Sequence, residues 1–75
     1  MWQEKNGKLK RNFQFENFSE AWAFMSQVAL LAEKLNHHPN WSNSYNQVEI
    51  ELFSHDENRI TQKDRNLAKA IDELI

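Results

Sequence analysis

The sequence predicts an α+β domain, a four-stranded antiparallel sheet with two helices packed on one face, in the order β-β-α-β-β-α. Two pairs of short stretches alternate apolar and polar residues around two-residue turns, as hairpins do. Two other stretches repeat apolar residues at spacings of three and four, as amphipathic helices do. Each hairpin and each helix therefore shows one apolar side. Stacking both helices on one face of a joined sheet buries all of them with the fewest layers.

The first hairpin runs through residues 2–5 and 8–15 around Asn6-Gly7. Both turn residues tolerate the positive φ of a type I′ turn, which makes Asn-Gly the strongest short-range hairpin signal. In its second strand Leu9, Arg11, Phe13 and Phe15 share one face, with Lys8, Lys10, Asn12 and Gln14 on the other. That alternation fits a sheet with one wet side. Ser19 is the expected N-cap of the first helix, with Glu20 behind it favouring the helix dipole. Ala21, Met25, Val28, Ala32 and Leu35 then form an apolar stripe, widened by Trp22 and Ala29. Asn36 is the expected left-handed residue past the helix end, and Pro39 stops the helix from resuming.

The second hairpin is expected over residues 41–45 and 48–53, turning at Asn46-Gln47 and setting Tyr45 opposite Val48, Asn43 opposite Ile50 and Trp41 opposite Leu52. Residues 54–59 read as a polar loop. Thr61 caps the second helix, with Asp64 three residues on as its capping-box partner. Leu67, Ile71 and Leu74, flanked by Ala68 and Ile75, supply its buried stripe.

With 75 residues, the chain reads as one domain spanning 1–75. A chain this short buries only roughly 60% of its unfolded surface, so self-association is expected to add stability. The absence of cysteine removes disulfides and thiolate metal sites. Net charge is −2, and Lys8, Lys10 and Arg11 are the only basic cluster, which argues against direct nucleic-acid binding. The longest apolar run, residues 28–32, is far short of a membrane span, and the first residues lack a signal-peptide pattern. A soluble cytoplasmic protein with no membrane contact is the expectation.

Chemistry concentrates at Glu33-Lys34-Leu35-Asn36-His37-His38-Pro39-Asn40-Trp41, which holds two of the three histidines and the only proline. Histidine gives and takes protons near neutrality. His38 precedes proline and is biased to extended backbone, so the pair leaves the helix stiffly. The third histidine, His55, closes the following hairpin. Plainer uses exist for each residue: His37 and His38 as cations at a helix C-terminus, His55 as a solvated loop residue beside Asp56, Glu33 as a surface helix residue, Asp64 as a cap, and Trp41 and Tyr45 as core or interface aromatics. A His/Glu metal set drawn from Glu33, His37, His38 and His55 is a further reading, weakened by its loose spacing and by the awkwardness of adjacent histidines on one ion. No serine or cysteine nucleophile constellation is present, and the single glycine, Gly7, leaves no phosphate-cradling loop.

Taken together, Glu33, three residues, His37-His38-Pro39, five residues, Tyr45, nine residues, His55, eight residues, Asp64 form a pattern that resembles the pterin-4a-carbinolamine dehydratases. Phe13-Gln14-Phe15, Phe18, Ala21, Phe24-Met25, Val28-Ala29, Ala32-Glu33-Lys34-Leu35, Trp41 and Asn43 are similar to the family as well, so the resemblance covers essentially the whole chain. It implies a lyase that dehydrates 4a-hydroxytetrahydropterin to quinonoid dihydropterin during tetrahydrobiopterin recycling, with no metal or organic cofactor. By the resemblance His37, His38 and His55 are the catalytic residues, and Glu33, Pro39, Trp41 and Asp64 contact or support the pterin. His37 or His55 would protonate the leaving hydroxyl, and His38 would hold the ring or act as base. Glu33 would orient a histidine or bind the pterin, Asp64 would hold His55 or the pocket wall, and Trp41 would support the pocket.

Three departures accompany the resemblance. Family members commonly carry a helix before the first hairpin, whereas this sequence begins where that helix would have ended. Asn36 stands where aspartate is frequent, and Arg59 where glycine is common. The family also implies homodimers or homotetramers, and it contains non-enzymatic members that stabilise dimers of a transcription factor or assist assembly of other enzymes. Such a dimerisation, assembly or coactivator role is the alternative function.

Overall fold

A computed structural model describes all residues, 1–75. The elements are β1 (Gln3–Lys5), β2 (Lys8–Gln14), α1 (Phe18–Leu35), β3 (Asn40–Ser44), β4 (Gln47–Leu52) and α2 (Gln62–Asp72). The strands form one antiparallel sheet in the order β1-β2-β4-β3. The two hairpins thus join through β2 and β4, where Leu9 faces Leu52, Arg11 faces Ile50 and Phe13 faces Val48. That row points at the helices and merges with Ala21, Phe24, Met25 and Val28 of α1 and Leu67, Ala68 and Ile71 of α2 in one buried cluster. Burying side chains of this size stabilises by about 1.5–3 kcal/mol each relative to exposure. The opposite face of the sheet carries the polar alternates, among them Lys10 paired with Glu51 at 3.0 Å. No helix is long and apolar enough to cross a membrane.

Local chemistry sets the element ends. Asn6 (φ 54°) and Gly7 (φ 76°) both take the positive φ their turn requires. The first helix is capped two residues earlier than expected: Asn17, not Ser19, is the N-cap, its side chain accepting from the Glu20 N–H at 2.9 Å. An Asn oxygen there satisfies an otherwise orphan donor, and it leaves Ser19 inside the first turn. The buried stripe also differs from expectation. Phe24 fills the core, while Trp22 is 57% exposed and Leu35 is 41% exposed. Phe24 is drawn in by Phe13 and Phe15, whose ring centroids lie 4.7 and 5.0 Å from its own.

The second hairpin is shifted by two residues from its expected register. Asn43 faces Val48 and Trp41 faces Ile50, so Tyr45 and Asn46 form the turn. Gln47 is instead paired with Gln14 of β2, while the Phe15 N–H donates to the Asn46 carbonyl at 2.8 Å. The neighbouring strand claims these residues, and Tyr45 takes φ 49° as the consequence. At the far end of the molecule, Arg11 and Trp2 both donate to Asp72, tying the first hairpin to the end of α2.

Candidate active site

Three element ends meet beside β4. Past the last turn of α1, Asn36 adopts φ 51° and its N–H donates to the Glu33 carbonyl, while the His37 N–H donates to the Ala32 carbonyl. These are the two bonds of a Schellman motif, closed by a residue that tolerates the left-handed region. The motif turns the chain so that His37 leaves the helix toward α2. After β4, Ser54 bridges to Arg59 and carries His55 into a short loop, whose positive φ falls on Asn58 rather than Arg59. The first turn of α2 contributes Lys63 and Asp64.

Between these ends lies a cleft of about 320 Å³ lined by Asn36, His37, His38, Phe53, His55, Asp56 and Lys63. All three histidines border it. Glu33 and Asp64 stand behind the lining, each holding a histidine. Pro39, Trp41 and Tyr45 lie outside: Trp41 packs against the core from the edge strand β3, and Tyr45 sits at the exposed hairpin turn. No group of three or more histidine, aspartate and glutamate side chains is placed to hold a metal ion.

Asp64 is fully buried, and its two oxygens divide the work. Oδ1 faces His37 Nε2 at 2.5 Å, and Oδ2 accepts from the Thr61 N–H at 2.8 Å and the Ser54 hydroxyl at 2.9 Å. The Thr61 contact is one arm of the expected capping box. Burial opposes ionisation of this carboxyl, yet the bonds from His37, the Thr61 N–H and Ser54, together with the charge of His37, outweigh it and hold its pKa below the usual aspartate value. An ionised carboxylate only accepts, so His37 donates through Nε2–H and its Nδ1 is left with no protein partner. The pairing is with His37, the histidine next to the helix end, and not with His55.

His38 pairs with Glu33 through Nε2 and Oε2 at 2.5 Å, but both side chains are mostly in solvent. His55 has no hydrogen-bond partner. It is braced by Phe53, whose ring stands edge-on to the imidazole at a centroid distance of 5.1 Å. Phe53, Lys63 and Ser54 are the site residues that sequence reasoning passed over. Phe53 reads as an ordinary strand residue and Ser54 as loop, and only their position beside His55 gave any signal.

Across residues 1–74 the chain matches the family model described as pterin 4 alpha carbinolamine dehydratase. The chain belongs to this family. Among its relatives, a Synechococcus sp. (strain WH7803) protein provisionally named pterin-4-alpha-carbinolamine dehydratase is 59% identical over 97% of this chain and 78% of its own length. A Prochlorococcus marinus (strain NATL2A) protein with the same provisional name is 55% identical over 99% of this chain and 78% of its own. The crystal structure of a Brucella melitensis transcriptional coactivator/pterin dehydratase superposes with TM-score 0.92 at 43% identity, over 96% of this chain and 79% of that one. A pterin dehydratase-like protein identified as a RuBisCO assembly factor in the alpha-carboxysome gives TM-score 0.80 at 27% identity, over 99% and 86% of the two chains. The four-stranded sheet and paired helices are thus the fold of the pterin dehydratases.

Proposed function

We propose that this chain dehydrates 4a-hydroxytetrahydropterins to quinonoid dihydropterins in tetrahydrobiopterin recycling, using its histidines as acid and base. The observation that carries the reading is the gathering of His37, His38 and His55 on one cleft, in a member of the pterin dehydratase family, with His37 fixed by a buried carboxylate. The reaction breaks the C4a–O bond as the hydroxyl leaves as water, and it removes the proton from N5. His37 Nδ1 delivers a proton to the departing hydroxyl, and Asp64 stabilises the imidazolium from which that proton comes. His55 faces the cleft without a competing protein partner and takes the N5 proton. His38, held by Glu33, borders the ring. Each proton transfer is worth typically 10²–10⁴-fold in rate.

The test is carbinolamine dehydration by the purified chain and by His37→Ala and His55→Ala. Loss of activity in both variants with folding retained is the expected result; near-wild-type rates in both would refute the reading. A second reading, an assembly or coactivator role, is favoured by the likeness to the RuBisCO assembly factor and by stacked, exposed Phe18 and Trp22 on α1. Stoichiometric capture of a partner by a chain without dehydratase activity would select it. We further infer self-association to at least a dimer, supported by the exposed Trp22 and Leu30 on the same helix. Light scattering showing a monomer at tens of micromolar would exclude it.

A further inference from the structure

On the dehydratase reading of the cleft, we propose that Ser54 is a positioning residue that couples two of the site histidines, holding His37 through Asp64 and anchoring the loop that carries His55. Ser54 touches neither imidazole by hydrogen bond, so its role is indirect. It is 1% exposed, and every polar group it has is committed. Its hydroxyl donates to Asp64 Oδ2 at 2.9 Å. A hydroxyl carries one proton, so the 2.7 Å contact with Thr61 Oγ1 is one in which Thr61 donates and Ser54 accepts. The Ser54 N–H donates to the Arg59 carbonyl at 3.1 Å, and its carbonyl accepts from Glu57 and Arg59.

The consequences follow from the division of the Asp64 carboxylate. Oδ1 can face His37 only if the carboxylate plane is fixed, and Oδ2 fixes it through two donors at different angles. The Thr61 N–H belongs to α2 and moves with Asp64, because it lies three residues away in the same helix cap. Ser54 is the one donor to Oδ2 from outside that helix. It references the carboxylate to β4 and the sheet rather than to α2 alone. The same residue closes the turn over residues 54–59, so the position of His55 and the orientation of His37 share one anchor. Removing the hydroxyl frees the carboxylate to rotate, strips Thr61 Oγ1 of its acceptor, and lets His37 sample the tautomer with the proton on Nδ1. A neutral His37 with its single proton on Nδ1 has no Nε2–H to give Asp64, so the carboxylate no longer holds the ring in place for the imidazolium that acts on the substrate.

The experiment compares Ser54→Ala, Ser54→Thr and Ser54→Cys with the wild-type chain. Two readouts are used: histidine ring-nitrogen NMR without substrate, and steady-state dehydration. With the imidazoles deprotonated at alkaline pH, the wild-type spectrum is expected to show His37 in the Nε2–H form, with Ser54→Ala giving a mixture of tautomers. Ser54→Ala is expected to lower kcat about tenfold with KM within about twofold, the size expected for one hydrogen bond to a charged group. Ser54→Thr, which keeps the hydroxyl, restores the tautomer and most of kcat; Ser54→Cys, a weaker donor of similar volume, falls between.

A wild-type spectrum with His37 in the Nδ1–H form overturns the proposal without any variant, so a variant that fails to fold does not shelter it. Equal kcat and an unchanged tautomer in Ser54→Ala also overturn it, as does an equal loss in Ser54→Thr. If the wild-type chain turns over no carbinolamine, the functional reading fails while the tautomer comparison still decides the positioning role.

Discussion

Two histidine–carboxylate pairs border the same cleft at the same 2.5 Å separation, and they differ in nearly everything else. In the His37–Asp64 pair the side chains are 13% and 0% exposed; in the His38–Glu33 pair they are 55% and 77% exposed. Buried, the first pair interacts in a medium of low dielectric and is backed by two further donors on Asp64. Exposed, the second competes with water and salt, and it must restrain two freely rotating side chains to form at all. Distance alone therefore says little about which carboxylate sets a histidine's chemistry. Burial and the satisfaction of the remaining lone pairs decide it.

The contrast is most exposed to a break at Asp64. Asp64→Ala leaves the Thr61 N–H, the Ser54 hydroxyl and His37 without their acceptor, and is expected to cost about 3 kcal/mol of stability. Urea denaturation measures it, and a loss below about 1 kcal/mol would mean that the two pairs are energetically alike. On the dehydratase reading, His37→Gln should slow carbinolamine dehydration about a hundredfold, whereas His38→Gln should slow it less than about tenfold. Comparable losses in the two would dissolve the distinction at the level of catalysis.

A smaller effect separates the pairs by pH. The Asp64 carboxyl titrates lower in the fold than in the unfolded chain, so the unfolded state binds the extra proton first on acidification. Its contribution is complete above the ordinary aspartate value of 3.8 and is lost as pH falls toward the depressed native value. The urea midpoint of the wild-type chain should therefore fall on acidification below about pH 4, and Asp64→Asn should show a shallower fall over the same range. Equal slopes would contradict the depressed titration. The smallest change is expected of Glu33→Gln, within about 0.5 kcal/mol at ordinary salt. A larger shift, seen in thermal or urea melts, would give the surface pair a weight its exposure does not allow.

Much of the fold was legible because its signals are local. Asn6-Gly7, Asn36 and the pairing of Thr61 with Asp64 all act within a few residues, and each appears as expected. The failures are instructive for the opposite reason. Ser19 is a sound cap, but Asn17 captures the Glu20 N–H first. Asn46-Gln47 is a plausible turn, but pairing with β2 draws Gln47 into the ladder, so the turn moves to Tyr45-Asn46 and Tyr45 takes a positive φ its side chain does not favour. Trp22 fits the apolar stripe by spacing, yet the aromatic row of β2 is matched by Phe24. Leu35 likewise falls on the stripe but lies beyond the reach of the core, where the chain is already turning. In each case a contact from another strand outweighed a preference written nearby.

The site divides along the same line. The sequence alone determined that a helix ends at Asn36, that His37 and His38 leave it stiffly toward Pro39, and that Asp64 caps the next helix, because neighbours along the chain enforce each of these. Only the tertiary structure decided which carboxylate serves which histidine. His38 and Glu33 are five residues apart, and their pairing needs nothing but the helix end. His37 and Asp64 are 27 residues apart, and they meet because the sheet brings the end of α1 against the start of α2. The buried pair, and Ser54 behind it, exists only where three distant segments exclude water together.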